Sequence, residues 1–494
     1  MSPFDLVNAT ELEPHRPWSR RVLSRADWAA MASARQPGPD LSLLALWADT
    51  AQVHALLLDN ASDFVLPVAV SLEAGRYPAL SPAWPIAAWF ERLISDLWGH
   101  VADGGHDLRP WLDHGQWSGA QPLAARPDPA SSPDGQEAFP VSEAGELMQV
   151  PLGPVQDLIG EARHIRLTLR GGTVLRAESR LGYTHKGVVT LMWGKSPRAA
   201  ARFAARLAGD ATVAHSLAFA RAAEAALDIT PPPRAAVLRA AMAELERITG
   251  HLDALAVQAE GVGFPALHAE CGLHRERLLR AIGAAFGHRL MMDCVVPGGL
   301  AIEITSDGCS GIRTALNGLD AGLAALRRRW DKLLARLDGL GTVAPAAVAA
   351  WAAGGVVGRA SGRAFDVRRF DTACPTPSPC TERAGDVAAR CRVRIGQIAD
   401  SIRLVRALLD EVPGGAITAA VPAESGEGIG CAESVRGDVW HWLRLDHGQI
   451  AAAFPRDPGW ALWPLAETAI TGCRMEEVDV ILHSFGLAAS PVDL

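Results

Sequence analysis

Gly182-Tyr183-Thr184-His185-Lys186-Gly187 sets a histidine and a lysine between two glycines. Glycine reaches backbone conformations that other residues avoid, so such a loop can aim a polar side chain into a cavity. An imidazole there can pass a proton to a substrate or donate a hydrogen bond to an acceptor oxygen, since its ordinary pKa lies near neutrality. His185 is therefore the candidate catalytic residue. Downstream, Ser196-Pro197 offers an N-cap and a first-turn proline to an Ala-rich helical run that carries Asp210 and His215. A buried histidine beside a carboxylate can relay protons, but hydrogen bonding within a helical bundle is the plainer role for His215.

Eight cysteines stand at 271, 294, 309, 374, 380, 391, 431 and 473, none in a Cys-x-x-Cys spacing, so no zinc or cluster site announces itself. Cys374 and Cys380, in a Pro-rich loop, read as unconnected reduced thiols. The 494 residues carry a net charge of −8, which gives no electrostatic reason to expect nucleic acid as a partner. With 49% hydrophobic and 21% charged residues, the composition is that of a globular chain of two or more domains. The N-terminal MSPFDLVNATELEPHRP has acids and no apolar core, so it does not read as a signal peptide. The longest apolar run, Pro345 to Gly358, is too short and too rich in Gly and Ala to span a bilayer. Membrane attachment is thus expected to come through partner subunits.

The elements that must position these residues can be read from periodicity. Leu41 to Trp47 and Val53 to Leu58 are strand-like, and Trp84 to Trp98 has helical spacing. These fall in a first domain, residues 1–118, that ends in the Trp-, Arg- and Asp-rich stretch His106 to Trp117. That stretch is expected to be an exposed loop that docks on a partner or on the second domain. Residues 119–148 hold five prolines among Ala, Ser, Asp and Gly and read as a linker to a second domain, 149–494. There, Ile165 to Leu169 and Val174 to Ala177 flank Gly171-Gly172 as a β-hairpin leading into the His185 loop. After Pro231-Pro232-Pro233, Leu238, Leu245 and Leu252 interleave with Ala241, Ile248 and Leu255, the stripe of a helix packed lengthwise in a bundle. Glu244, Glu246 and Arg247 on it read as a solvated or interhelical charge set. Further helices are predicted from about His274 to Phe286, from about Ile312 to Leu337, and from Gly385 to the Pro413-Gly414-Gly415 stop. The Arg327-Arg328-Arg329 run reads as solvated or as part of a partner surface.

Several segments resemble, in the right order, one known family. Glu91-Arg92, Asp96-Leu97-Trp98-Gly99 and His106 to Trp117 are similar to the 30-kDa-type subunit of respiratory complex I. Arg206 to Ala218 resembles Arg-x-Cys-Gly-x-Cys-x-x-x-His-Ser-x-Ala of the large subunit of membrane-bound nickel–iron hydrogenases, itself homologous to the 49-kDa-type subunit of complex I. The frame is kept, with Ala208 and Ala211 in the two cysteine positions. Val295-Val296-Pro297-Gly298-Gly299-Leu300 and Glu433-Ser434-Val435-Arg436-Gly437 match further family stretches. Near the C-terminal end Ser484-Phe485 aligns, and the second cysteine pair is replaced by Ala488 and Pro491. The resemblance is to group 4 enzymes of the formate-hydrogenlyase and hydrogenase-4 type, with the two complex I modules fused in one chain.

This resemblance implies an α+β fold: a small N-terminal α/β domain and a mostly helical domain with peripheral β-hairpins. Soft thiolates retain nickel and iron in the family, so losing all four implies that this chain binds no metal. It also implies that Arg359, Asp366 and Arg368, with Asp210 and His215, line the cavity beside the old metal or quinone site. His185 matches the family's quinone-binding histidine; the tyrosine position falls at Gly209, and that of the acid on the second long helix at Gly261, beside Glu260. The implied partners are a small iron–sulfur subunit carrying a 4Fe-4S cluster, a ferredoxin-like subunit and membrane ion-translocating subunits. The implied place is cytoplasmic, peripheral on the inner face of the cell membrane. Two functions follow as alternatives: electron transfer to an organic acceptor such as a quinone, or a non-catalytic scaffold coupling a redox partner to the membrane arm.

Overall fold

The computed structural model describes residues 12–33, 41–107, 109–115, 117, 121–124, 146–155 and 161–494. The first module is a five-stranded sheet in the order Leu12–Glu13, Arg20–Leu23, Phe64–Ser71, Gln52–Asp59, Leu41–Ala48. Its pairs are antiparallel except Arg20–Leu23 with Phe64–Ser71. Every residue of Leu41–Ala48 is buried, as expected of a strand covered on both faces. The helix Ala87–Trp98 packs on it, and Trp47 stacks on Phe454 of the second module at 5.6 Å.

The Trp-rich stretch faces inward, contrary to the exposed loop expected from its polarity. Trp111 and Leu112 are both 2% exposed, because their amides donate to the Asp96 carboxylate at 2.7 Å each and turn the chain into the module. Trp111 then lies 4.5 Å from Trp89 and stacks at 5.2 Å on Trp460, while Phe90 stacks on the same Trp460 at 4.5 Å. His114 Nε2 donates to the Leu181 carbonyl at 2.8 Å. The docking partner of this stretch is the second domain of its own chain. Most of the expected linker, 125–145, lies outside the described residues. The second module begins with the strand Met148–Leu152, paired to His164–Arg170 and through it to Thr173–Arg180.

The architecture is α+β. Its centre is the helix Pro233–Gly261, on which the six stripe residues from Leu238 to Leu255 are all fully buried. Glu244 and Arg247 are 1% exposed and Glu246 7%, so of the two readings only the interhelical one holds. Helices Pro265–Phe286 and Ser306–Leu334 start earlier than expected. Pro265 takes the first turn of one, and Thr305 caps the other by accepting from the Gly308 amide. Asp210 belongs to no helix: the Ala-rich run breaks into Pro197–Ala204 and Thr212–Ala226, and Gly209-Asp210 forms the turn between them. Ser196 caps the first of these as expected.

Val387–Asp410, capped by Asp386, packs along the central helix. A meander of Gly426–Glu433, Asp438–Asp446 and Gln449–Arg456 lies against Thr212–Ala226. At Gly430 a Cβ would stand 2.3 Å from the Ala218 carbonyl, so only glycine permits that approach. No described helix is long and apolar enough to cross a membrane.

Candidate functional site

The two segments that resemble the halves of a metal site come together although they lie far apart in sequence. The first is the turn after Pro197–Ala204; the second follows the helix Val478–Phe485, which ends in Gly486 in the left-handed conformation. Ser490 Oγ donates to the Leu207 carbonyl at 2.9 Å, and the Lys186 ammonium bonds both Leu207 O, at 3.2 Å, and Ser490 Oγ. Glu161 accepts from the amides of Ala489 and Ser490. Ala208 is 1% exposed, Ala211 0% and Ala488 7%, and Pro491 is buried.

The C-terminal segment is also strapped to the glycine-flanked loop. The Asp493 carboxylate accepts from the Gly182 amide at 2.7 Å, the Thr184 amide at 2.9 Å and Thr184 Oγ1 at 2.6 Å. His185 Nδ1–H donates to the Asp493 carbonyl at 2.6 Å. A carbonyl only accepts, so this bond fixes the tautomer and leaves Nε2 of neutral His185 as an acceptor. Burial, with Lys186 nearby, lowers its pKa. His185 can therefore take a proton through Nε2, but donating a hydrogen bond there would need the imidazolium that its surroundings disfavour.

Beside the converged segments lies a cavity of about 390 Å³. Gly209, Asp210, Leu487 and Ala488 form one part of its wall, and Gly250, Asp253, Ala254 and Val257 of the central helix another. Arg394, Arg436, Glu161 and His483 supply the remaining charge and polarity. A Cβ added at Gly209 would meet nothing within 4 Å, so the position matching the family's tyrosine opens on empty space.

Of the residues expected at the cavity, Asp210 lines it; His185, His215, Arg359, Asp366 and Arg368 do not. Asp210 instead leads inward to His215. It pairs with Arg436, which holds Asp457 at 3.0 Å; His215 Nε2 bonds that carboxylate at 3.2 Å and its Nδ1 meets His441 at 3.1 Å. Although burial opposes it, the Arg436 charge and the His215 bond hold the Asp457 carboxyl well below the usual range. Burial drives His441 far down, so that ring is neutral.

Arg359, Asp366 and Arg368 sit deeper, in a dense ionic cluster. Arg359 pairs with Glu433 at 2.6 Å and Asp366 at 2.9 Å; Arg368 pairs with Asp366 at 2.7 Å and Glu244 at 3.2 Å. These bonds tie the central helix, the meander and the loop after Ala360 together, which is why charges of this density survive burial. Arg247, against Glu244 at 3.4 Å, extends the cluster to Gln397 at 2.7 Å, and Gln397 accepts from His251 at 2.9 Å.

Arg394, Asp253, Glu161 and His483 were not singled out from sequence. A signal existed for Arg394: with Val387, Cys391, Ile398 and Ile402 it falls on the buried stripe of its helix, where a charge is out of place. His483 gives no such sign, for its neighbour Gly261 lies far away in the chain.

Comparison with known proteins gives three family matches along the chain. Residues 38–129 match the 30 Kd subunit of respiratory-chain NADH dehydrogenase, 186–253 nickel-dependent hydrogenase, and 262–425 the 49 Kd subunit of that NADH dehydrogenase. The chain is 26% identical over 466 residues to formate hydrogenlyase subunit 5 of Escherichia coli, covering 89% of this chain and 81% of that one. It is 28% identical to the membrane-bound hydrogenase subunit alpha of Pyrococcus furiosus, over 70% of this chain and 87% of the relative. Among solved structures, a chain of the membrane-bound sulfane sulfur reductase, an archaeal respiratory membrane complex, superposes with a TM-score of 0.66. That match has 21% identity and covers 72% of this chain and all of the other, a likeness of fold.

Proposed function

We propose that this homologue of hydrogenase large subunits and of the 30-kDa and 49-kDa subunits of complex I works in a membrane-associated oxidoreductase complex without a nickel–iron centre. The observation that carries the reading is the convergence of the former ligand frames on a cavity lined by small and apolar residues with a few charged side chains among them. Alanine and proline side chains hold no donor atom, so Ala208, Ala211, Ala488 and Pro491 do not fit nickel and iron. Among the described residues no group of three or more His, Cys, Asp or Glu is placed to hold a metal ion. The cavity then serves an organic electron acceptor, such as a quinone, that draws electrons from a 4Fe-4S cluster in a small partner subunit. A ferredoxin-like subunit feeds that cluster, membrane subunits move ions, and the chain sits on the inner face of the cell membrane through them.

The second reading, a non-catalytic coupling scaffold, is favoured by the tether of His185 to the Asp493 carbonyl and by its absence from the cavity wall. One variant separates the two. Ala254→Trp places a large ring on the cavity-lining face of the central helix. In the purified complex the redox reading expects assembly to persist and acceptor-dependent turnover to fall by roughly tenfold or more, about 1.4 kcal/mol in the barrier. Unchanged turnover in an assembled complex would leave only the scaffold.

A further inference from the structure

Arg394 stands in the cavity wall as a cation without a carboxylate of its own: Asp210, whose charge it senses, is paired with Arg436. It is 2% exposed, and its hydrogen-bond partners among the described residues are the Ser484 carbonyl at 3.1 Å and His251 Nδ1 at 3.5 Å. Neither carries charge, since burial and the neighbouring arginines keep His251 neutral. Arg390, one turn earlier, is buried on uncharged oxygens as well: Ser484 Oγ, Gly385 O and Gly341 O. A buried guanidinium is ordinarily matched by a carboxylate, because the desolvation of its charge is otherwise uncompensated. Burial duly pulls Arg394 down to about 10 and Arg390 to about 9, still charged at neutral pH.

The acids around the cavity are already engaged. Asp210 is on Arg436, Asp253 faces Arg275 at 3.3 Å, and Glu161 serves the two amides of the C-terminal segment. Arg390 and Arg394 are both left without a carboxylate, and of the two it is Arg394 that lines the cavity. Its place is kept open by Gly486, where a Cβ would come within 2.9 Å of Nη2. The cavity volume falls in the range of ligand sites, roughly 300–1,000 Å³.

We infer that the cavity takes a small anion, or a substrate presenting an anionic group such as a carboxylate or a sulfur oxyanion, with Arg394 as its counter-charge. The inference rests on the proposed function only in placing the ligand in this cavity. It adds that a guanidinium recognises the ligand, through the two parallel N–H bonds that suit such groups.

The test uses the full-length protein, with succinate and thiosulfate as anionic probes and decylubiquinone as a neutral one. Thermal unfolding and calorimetric titration are read for wild type, Arg394→Gln and Arg436→Gln. At about 10 mM an anion is expected to raise the wild-type Tm, and which of the two does so tells carboxylate from sulfur oxyanion. Arg394→Gln should weaken that anion at least roughly tenfold and leave the ligand-free Tm unchanged or higher, since it removes an unmatched charge. Arg436→Gln, which strands Asp210 and Asp457, should lower the ligand-free Tm. Overturning results are no anion effect in wild type, an anion effect equal in Arg394→Gln, or binding of decylubiquinone alone. The last would leave the redox role standing, as binding is measured without turnover. If Arg394→Gln does not fold, Ala254→Trp must abolish the anion effect; its survival there overturns the inference.

Discussion

His483 fills the place a side chain at Gly261 would need: a Cβ there would lie 2.8 Å from the ring Nδ1. The position matching the family's acid is thus occupied by an imidazole from the short helix Val478–Phe485. Glu260, adjacent in the chain, is 72% exposed and among the described residues pairs with His268, at 3.5 Å, so it does not substitute. Gly261→Ala requires the His483 ring to move aside, and a net cost of no more than about 1 kcal/mol is expected, because the position is exposed and alanine gains helix propensity. In a His483→Ala background most of that cost should vanish. Urea unfolding of the double-mutant cycle checks it, and strictly additive effects would sink the contact as the cause.

Nickel is expected to be absent from the purified complex, with no hydrogen uptake or evolution. Elemental analysis of the intact assembly is the measurement; about one nickel per chain would contradict the reading of Ala208, Ala211, Ala488 and Pro491.

Trp111→Ala should act on stability and not only on association. The indole is packed between Trp89 and Trp460, with the Arg92 guanidinium 5.0 Å from its centre. Removing it leaves a cavity between the modules and should cost about 3–5 kcal/mol, read as a lower denaturant midpoint of the isolated chain. An unchanged midpoint with lost subunit co-purification would mean that the residue serves a partner instead.

The stability contributed at Asp493 should fall as pH rises, because ionisation sets a buried charge there. Burial pushes its carboxyl up to about 6, with Glu161 adding to the shift and the bonds from Thr184 and Gly182 opposing it. An acid whose pKa is raised by folding stabilises the fold fully below its unfolded value, near 4, and loses that contribution as pH climbs through 6. The loss amounts to about 3 kcal/mol at 1.4 kcal/mol per pKa unit. Asp493→Asn should flatten the dependence of Tm on pH between 4 and 6 relative to wild type. The same slope in both proteins would assign the titration to another group.

Much of the fold was legible because local signals agreed with the packing. Leu41 to Trp47, the 238–255 stripe and the Ser196 cap all appear where the sequence puts them. The helix begins at Pro265, about two and a half turns before the expected His274, because that proline takes its first turn. The Trp111 stretch misled because its polar residues serve the chain itself: Asp96 takes up the amides that would otherwise need water. At the site, the frames around Ala208 and Ala488 foretold where two distant segments meet. The guanidinium at Arg394 and the imidazole at His483 depended on contacts between residues far apart, which no spacing along the chain encodes.

The stacking of Phe90 and Trp111 on Trp460, and of Trp47 on Phe454, also sets how the chain comes apart. A module whose apolar face is shared has no stable state of its own, so the protein should melt in a single cooperative step. Amide exchange in Leu41–Ala48 and in Gln449–Arg456 should then report one opening free energy. A gene cut at the 119–148 segment would yield a second half with Trp442, Phe454 and Trp460 laid bare, a surface prone to aggregate unless the first half is supplied in trans.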